Sequence, residues 1–121
     1  MFSLSRRVRV FAWQAPTDMR KSFNTLSALV MGMGHEVTAG DAFVFVGKCR
    51  RRAKVLWFDG TGLCLLAKRL EKGRFAPLWA KPELTSSELT LFLEGSTAVG
   101  RIELSPPAFD FERDGRARFS S

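Results

Sequence analysis

The sequence predicts an α+β domain: a mostly antiparallel sheet of four to five strands with two helices packed on it. Three observations carry this expectation. The runs Ala42–Val46, Ala53–Phe58 and Leu63–Leu70 are short, apolar and separated by turn residues, as strands are. Two other stretches place apolar residues at helical spacing behind capping residues. A chain of 121 residues with 45% hydrophobic content suffices for one core but not for two.

Taken in order, residues Arg7 to Trp13 alternate. Val8, Val10 and Ala12 share one face; Arg7, Arg9, Phe11 and Trp13 share the other, the pattern of a half-exposed strand. Pro16, Thr17 and Asp18 then open a helix, with Thr17 or Asp18 as its cap. Met19, Phe23, Leu26 and Val30 form its apolar stripe, and Gly32 and Gly34 end it. Ala42–Val46 and Ala53–Phe58 make a hairpin, and the turn Asp59-Gly60-Thr61-Gly62 leads into Leu63–Leu70. Val55–Phe58 and Leu63–Leu66 are apolar on both faces, so helices, a second sheet layer or another subunit must cover both sides.

Phe75 to Trp79 offers a further short strand, which Pro77 keeps from the centre of a sheet. The second helix is marked by Thr85 and Glu88 at capping-box spacing and by Leu84 and Leu89 as a hydrophobic staple. Leu89, Phe92 and Leu93 face the core and Gly95 ends the helix. Residues 1–100 are expected to form the compact domain, and 101–121, rich in charge behind Pro106-Pro107, an extended or disordered tail.

The formal charge is +7, and it is unevenly spread. Residues 1–74 hold 14 Lys/Arg against 5 Asp/Glu, whereas residues 75–121 hold 5 against 7. The densest cluster, Lys48, Arg50, Arg51, Arg52 and Lys54, falls at the tip of the first hairpin. Lys68, Arg69, Lys72 and Arg74 follow at the next turn. Cations crowded on turns repel one another without a counter-charge, and a phosphate backbone supplies one. Arg20 and Lys21 fall in the first turn of the predicted helix, where the dipole disfavours cations and free N–H groups suit a phosphate; the alternative is that Asp18 caps the helix and both cations are solvated. Trp57, Phe58 and Phe75 are candidates to stack on bases, although strand aromatics are more often core.

No run approaches the length of a membrane span, and Arg6, Arg7 and Arg9 break the short apolar N-terminus, which does not read as a signal peptide. Cys49 and Cys64 belong to no metal-ligand pattern, so the expectation is free thiols in a reducing cytoplasm, with no metal and no cofactor. His35 has no nucleophile motif beside it, and no catalytic residues are assigned. Asp18 and Asp59 are the one carboxylate pair considered for a divalent metal, as in a nuclease; each also has a structural reading, as a helix cap and as the opening of an Asp-Gly turn.

The segment Thr17 to Phe23, with Leu26, Leu29 and Val30 behind it, resembles the opening of a TnpB-type accessory protein, the second-frame product of the IS66 group of bacterial insertion sequences. The resemblance continues through Phe43–Phe45, Lys54–Trp57, Asp59-Gly60, Gly62–Leu65, Lys68–Phe75 and Leu84–Gly95, in unbroken order over roughly residues 7–95. The chain departs from that pattern at Ser22, where glycine is usual, at Cys49-Arg50-Arg51, where the tip usually holds Gly-Asp, and at Ser96–Val99.

The resemblance implies a small protein encoded beside a larger transposase and assisting movement of the element, with no established catalytic residues to carry over. The expected function is therefore a non-catalytic, cytoplasmic accessory of DNA transposition that binds DNA through the basic hairpin, the transposase, or both. A protein-interaction adaptor or homodimer without DNA contact is the alternative, and a metal-dependent nuclease a more remote one.

Overall fold

The computed structural model describes residues 8–95. Five strands form one sheet: β1 (Val10–Ala12), β2 (Ala42–Val46), β3 (Arg52–Phe58), β4 (Leu63–Arg69) and β5 (Glu83–Leu84), in the spatial order β4-β3-β2-β1-β5. Helix α1 (Phe23–Gly32) connects β1 to β2, followed by a 3-10 turn at Val37–Ala39, and helix α2 (Ser86–Leu93) follows β5. The α+β expectation holds, but the sheet is mixed. β1 runs parallel to β2, Phe11 opposite Phe43, while the β1–β5, β2–β3 and β3–β4 pairings are antiparallel. The parallel pair follows from the long β1–α1–β2 crossover, which returns the chain in the direction it left.

The doubly apolar strands are covered from within the chain. On one face α1 lays Leu26 and Val30 against Phe11, Phe43, Phe45 and Leu56. On the other, α2 supplies Leu89, Phe92 and Leu93, and the segment after β4 supplies Phe75, Ala76 and Leu78, against Val10, Ala12, Val44 and Val55. β1 is thus buried along its whole length rather than half-exposed. The expected alternation holds, since Val8, Val10 and Ala12 face α2 while Phe11 and Trp13 face α1. Arg9 stays at the surface by forking onto Glu83 (3.0 and 3.1 Å) and lying 4.9 Å over the Phe11 ring.

Three points of local structure depart from the expectations or go beyond them. Helix α1 begins at Phe23, because Thr17 is already taken: its N–H donates to the Val46 carbonyl (2.9 Å), and it bridges to Gly47. Ser22 is the cap, with Thr25 Oγ1 accepting from its N–H at 3.0 Å. Met19 therefore packs on the core from outside the helix, and Phe23 is 41% exposed. Second, Phe75 to Trp79 forms no strand; it is an irregular segment whose Phe75, Ala76 and Leu78 are buried. Third, the last strand is the two-residue β5, which no pattern in the sequence announces. Helix α2 follows expectation: Thr85 Oγ1 accepts from the Glu88 N–H (3.1 Å), Glu88 Oε1 accepts from the Thr85 N–H (2.8 Å), and Gly95 leaves the helix at φ +82°. The expected tail, 101–121, lies outside the described residues.

Candidate functional site

One end of the sheet gathers all eleven candidate cations. The β2–β3 turn carries Lys48, Arg50 and Arg51; β3 starts with Arg52 and Lys54; β4 ends with Lys68 and Arg69. Segment 17–21 is tied to this end by the Thr17–Gly47 bridge and by Lys54, whose Nζ donates to the Lys21 carbonyl at 2.6 Å. Segment 70–75 is tied to it by Leu70 N–H to Arg51 O (2.8 Å) and Phe75 N–H to Arg50 O (2.6 Å).

The cations then divide by task. Lys54 anchors the approach to α1. Lys68 Nζ donates to Leu93 O (2.7 Å) in the last turn of α2, where the helix dipole favours a cation. Arg50 Nη1 donates to Phe75 O at 3.2 Å. Arg20 forks onto Asp18, and Arg69 onto Glu71. The side chains of Lys21, Lys48, Arg51, Arg52, Lys72 and Arg74 make no hydrogen bond or ion pair among the described residues, although Lys21 is near enough to help hold the Asp18 carboxyl down.

Arg20 and Lys21 precede the helix instead of lying in its first turn. The helix-dipole argument for a phosphate there no longer applies. The Asp18 carboxylate accepts from the Arg20 guanidinium at 2.8–3.2 Å and from its backbone N–H, which together hold it well below the usual carboxylate range. It caps nothing in α1.

The face on which each side chain projects follows from register. Arg52 stands directly opposite Arg69, and Lys54 opposite Ala67; these side chains share the α1 side with Leu56 and Leu65. Between them lies an open groove of about 440 Å³, lined by Met19, Arg52, Lys54, Ala67, Arg69 and Glu71. The β2–β3 turn sets Met19 as one wall by close approach, since a Cβ at Gly47 would come within 2.9 Å of Met19 Cγ. Like charges directly opposite on a sheet are unfavourable, and Glu71 is the sole acid lining this groove.

The stacking candidates separate. Phe75 is fully buried and stacks on Phe92 with centroids 4.8 Å apart, so it is core. Trp57 packs partly buried on the α2 side, and Phe58 is half-buried at the far end of β3. His35 packs on Phe11 (4.2 Å) and Phe43 (5.6 Å).

Asp59 also lies at that far end. Its Oδ1 accepts from the Thr61 and Gly62 N–H groups (2.9 Å each) and from the Thr61 hydroxyl, which pull its pKa down to about 2. β3 separates it from Asp18 by about 20 Å, at roughly 3.4 Å per residue, so the two carboxylates cannot share one metal. Among the described residues no group of three or more His, Cys, Asp or Glu is placed to hold a metal ion, and no helix is long and apolar enough to cross a membrane.

A small mixed-sheet domain with one strongly basic end is the class of protein that these observations define. The chain belongs to the IS66 Orf2-like family, whose model, IS66 Orf2 like protein, matches residues 8–101. It is therefore an insertion-sequence protein of the accessory type. Two Sinorhizobium fredii proteins are similar to it. Uncharacterized protein y4hO is 35% identical over 101 residues, covering 78% of this chain and 86% of its own. Uncharacterized protein y4jC is 37% identical over 76 residues, covering 62% and 65%. No solved structure matches the chain.

The sequence shows the cluster of cations but not its division into tethers and unpartnered groups. Glu71, Met19 and Gly47 join the site only in the fold. The close Gly47–Met19 approach has no signal in one sequence; Glu71, two residues from Arg69, does.

Proposed function

We propose that this protein is a non-catalytic accessory of transposition that holds the phosphate backbone of DNA against the basic end of its sheet. The facing pair Arg52 and Arg69 beside an open groove carries this reading. Strand register sets the two residues directly opposite each other, and an anion taken between their guanidiniums removes the repulsion, with Arg69 exchanging Glu71 for it. Lys21, Lys48, Arg51, Lys72 and Arg74 extend the cationic surface around the groove. Such contacts give affinity and salt sensitivity with little sequence choice. The transposase would supply the catalysis and, with the element ends, the specificity.

The test is titration of the chain into labelled duplex DNA at several salt concentrations, beside Lys48→Ala/Arg51→Ala/Arg52→Ala. These three cations have no side-chain partner among the described residues, so the variant should keep the fold. The expected result is steep weakening of wild-type binding with salt. In the variant, the slope of log affinity against log salt should fall by about 0.9 for each phosphate it no longer neutralises. Absence of binding at low salt would overturn the reading and direct the search to the transposase.

A further inference from the structure

The two edges of the sheet differ. β5 offers two residues, a length too short to template another chain. β4 offers seven, Leu63–Arg69, and nothing among the described residues pairs with its outer side. Its first five positions, Leu63, Cys64, Leu65, Leu66 and Ala67, hold no charge, no proline and no bulge, the devices that normally protect an edge. Leu63 to Leu66 are only half-buried, although β3 beside them is buried at Val55 and Leu56.

Register fixes which groups are open. Leu70 donates to Arg51, and Asp59 donates to Gly62, so even-numbered residues of β4 bond inward to β3. Leu63, Leu65, Ala67 and Arg69 therefore turn their N–H and C=O groups outward. An antiparallel partner copy centred on Leu66 would pair Leu63 with Arg69 and Leu65 with Ala67, matching every outward group. Charge favours the same arrangement. One end of the strand carries the acidic Asp59 turn and the other Lys68 and Arg69, so an antiparallel copy sets each acidic turn beside its partner's basic end. A parallel copy in register would stack Lys68 on Lys68 and Arg69 on Arg69, which is unfavourable.

We propose that β4 is the interface with a second copy of this chain, joining two sheets antiparallel about Leu66. Residues facing one another across antiparallel strands project from the same side. Both grooves then lie on one side of the joined sheet, with the two Arg69 positions about 20 Å apart along the strands at roughly 3.4 Å per residue. The dimer requires no DNA, and its test contains none, so its failure leaves the phosphate reading untouched and the reverse is equally true.

The test uses the full-length chain. Light scattering coupled to size exclusion should report a dimer. Ala67→Pro removes an outward N–H without touching the β3 ladder and should give a folded monomer. In a Cys49→Ser/Cys64→Ser background, Leu66→Cys should form a disulfide-linked dimer on mild oxidation, because a non-hydrogen-bonded pair brings the two Cα atoms to about 4.5 Å. Leu63→Cys, which faces Arg69, should not. Should Ala67→Pro fail to fold, the cysteine pair decides. A wild-type chain that stays monomeric at all concentrations, an Ala67→Pro variant that still dimerises, or Leu63→Cys linking as readily as Leu66→Cys would overturn the proposal.

Discussion

Arg50 occupies φ +59°, a left-handed conformation that a bulky side chain rarely adopts. Three hydrogen bonds hold it there: its N–H donates to the Gly47 carbonyl, its carbonyl accepts from the Phe75 N–H and its guanidinium donates to the Phe75 carbonyl. Arg50→Ala keeps the unfavourable backbone and loses the side-chain bond. Arg50→Gly loses the same bond but relieves the backbone, so the glycine variant should be more stable than the alanine variant by about 1 kcal/mol. Paired urea melts would check this. Asp59 gives a pH dependence. Its folded pKa of about 2 lies below the unfolded value of about 3.9. Its contribution to stability is therefore present above about pH 4 and is lost as the pH falls through about 2. Denaturation midpoints measured from pH 5 to 2 should fall less steeply in Asp59→Asn. The two thiols differ as well: Cys49 is exposed, whereas burial and the Asp59 carboxylate, which accepts from it at 3.5 Å, push the Cys64 thiol up. Maleimide should label Cys49 first.

At the scale of elements, legibility tracks how local the deciding interaction is. α2 is readable because its start is written in adjacent residues, Leu84, Thr85, Glu88 and Leu89. The reciprocal bonds make Thr85→Ala a clean probe, with an expected loss of about 1 kcal/mol in a thermal melt. The β2–β3–β4 hairpins are readable for the same reason, strands alternating with turn residues. The start of α1 is not, because Thr17 and Gly47 meet only in the folded sheet. Nor is β5, whose Glu83 and Leu84 pair with Phe11 and Val10. No short window contains such a contact. Phe75 misleads for a related reason, since strand-like composition describes burial as much as extension.

For the whole molecule, charge placement is legible and charge use is not. The crowding of cations between Lys48 and Arg74 is plain in the sequence, but only strand register shows that Arg52 faces Arg69 while Lys68 projects to the other side. This division predicts a double dissociation. Lys54→Met should cost about 1–2 kcal/mol of stability through the missing bond to Lys21 O, with a smaller effect on the salt dependence of DNA binding. Arg52→Ala should do the reverse, and denaturant melts beside salt titrations of both variants would show it.

The order of the sheet also sets a timetable. β1 leaves the ribosome before the other four strands, yet one of its two neighbours, β5, is made more than seventy residues later. Until Glu83 and Leu84 emerge, the Val10–Ala12 backbone keeps one unpaired flank, and the face that α2 will cover stands open. Synthesis must therefore run almost to the end of the described domain before that face can close, so it is open to wrong partners from the emergence of β1 until that of α2.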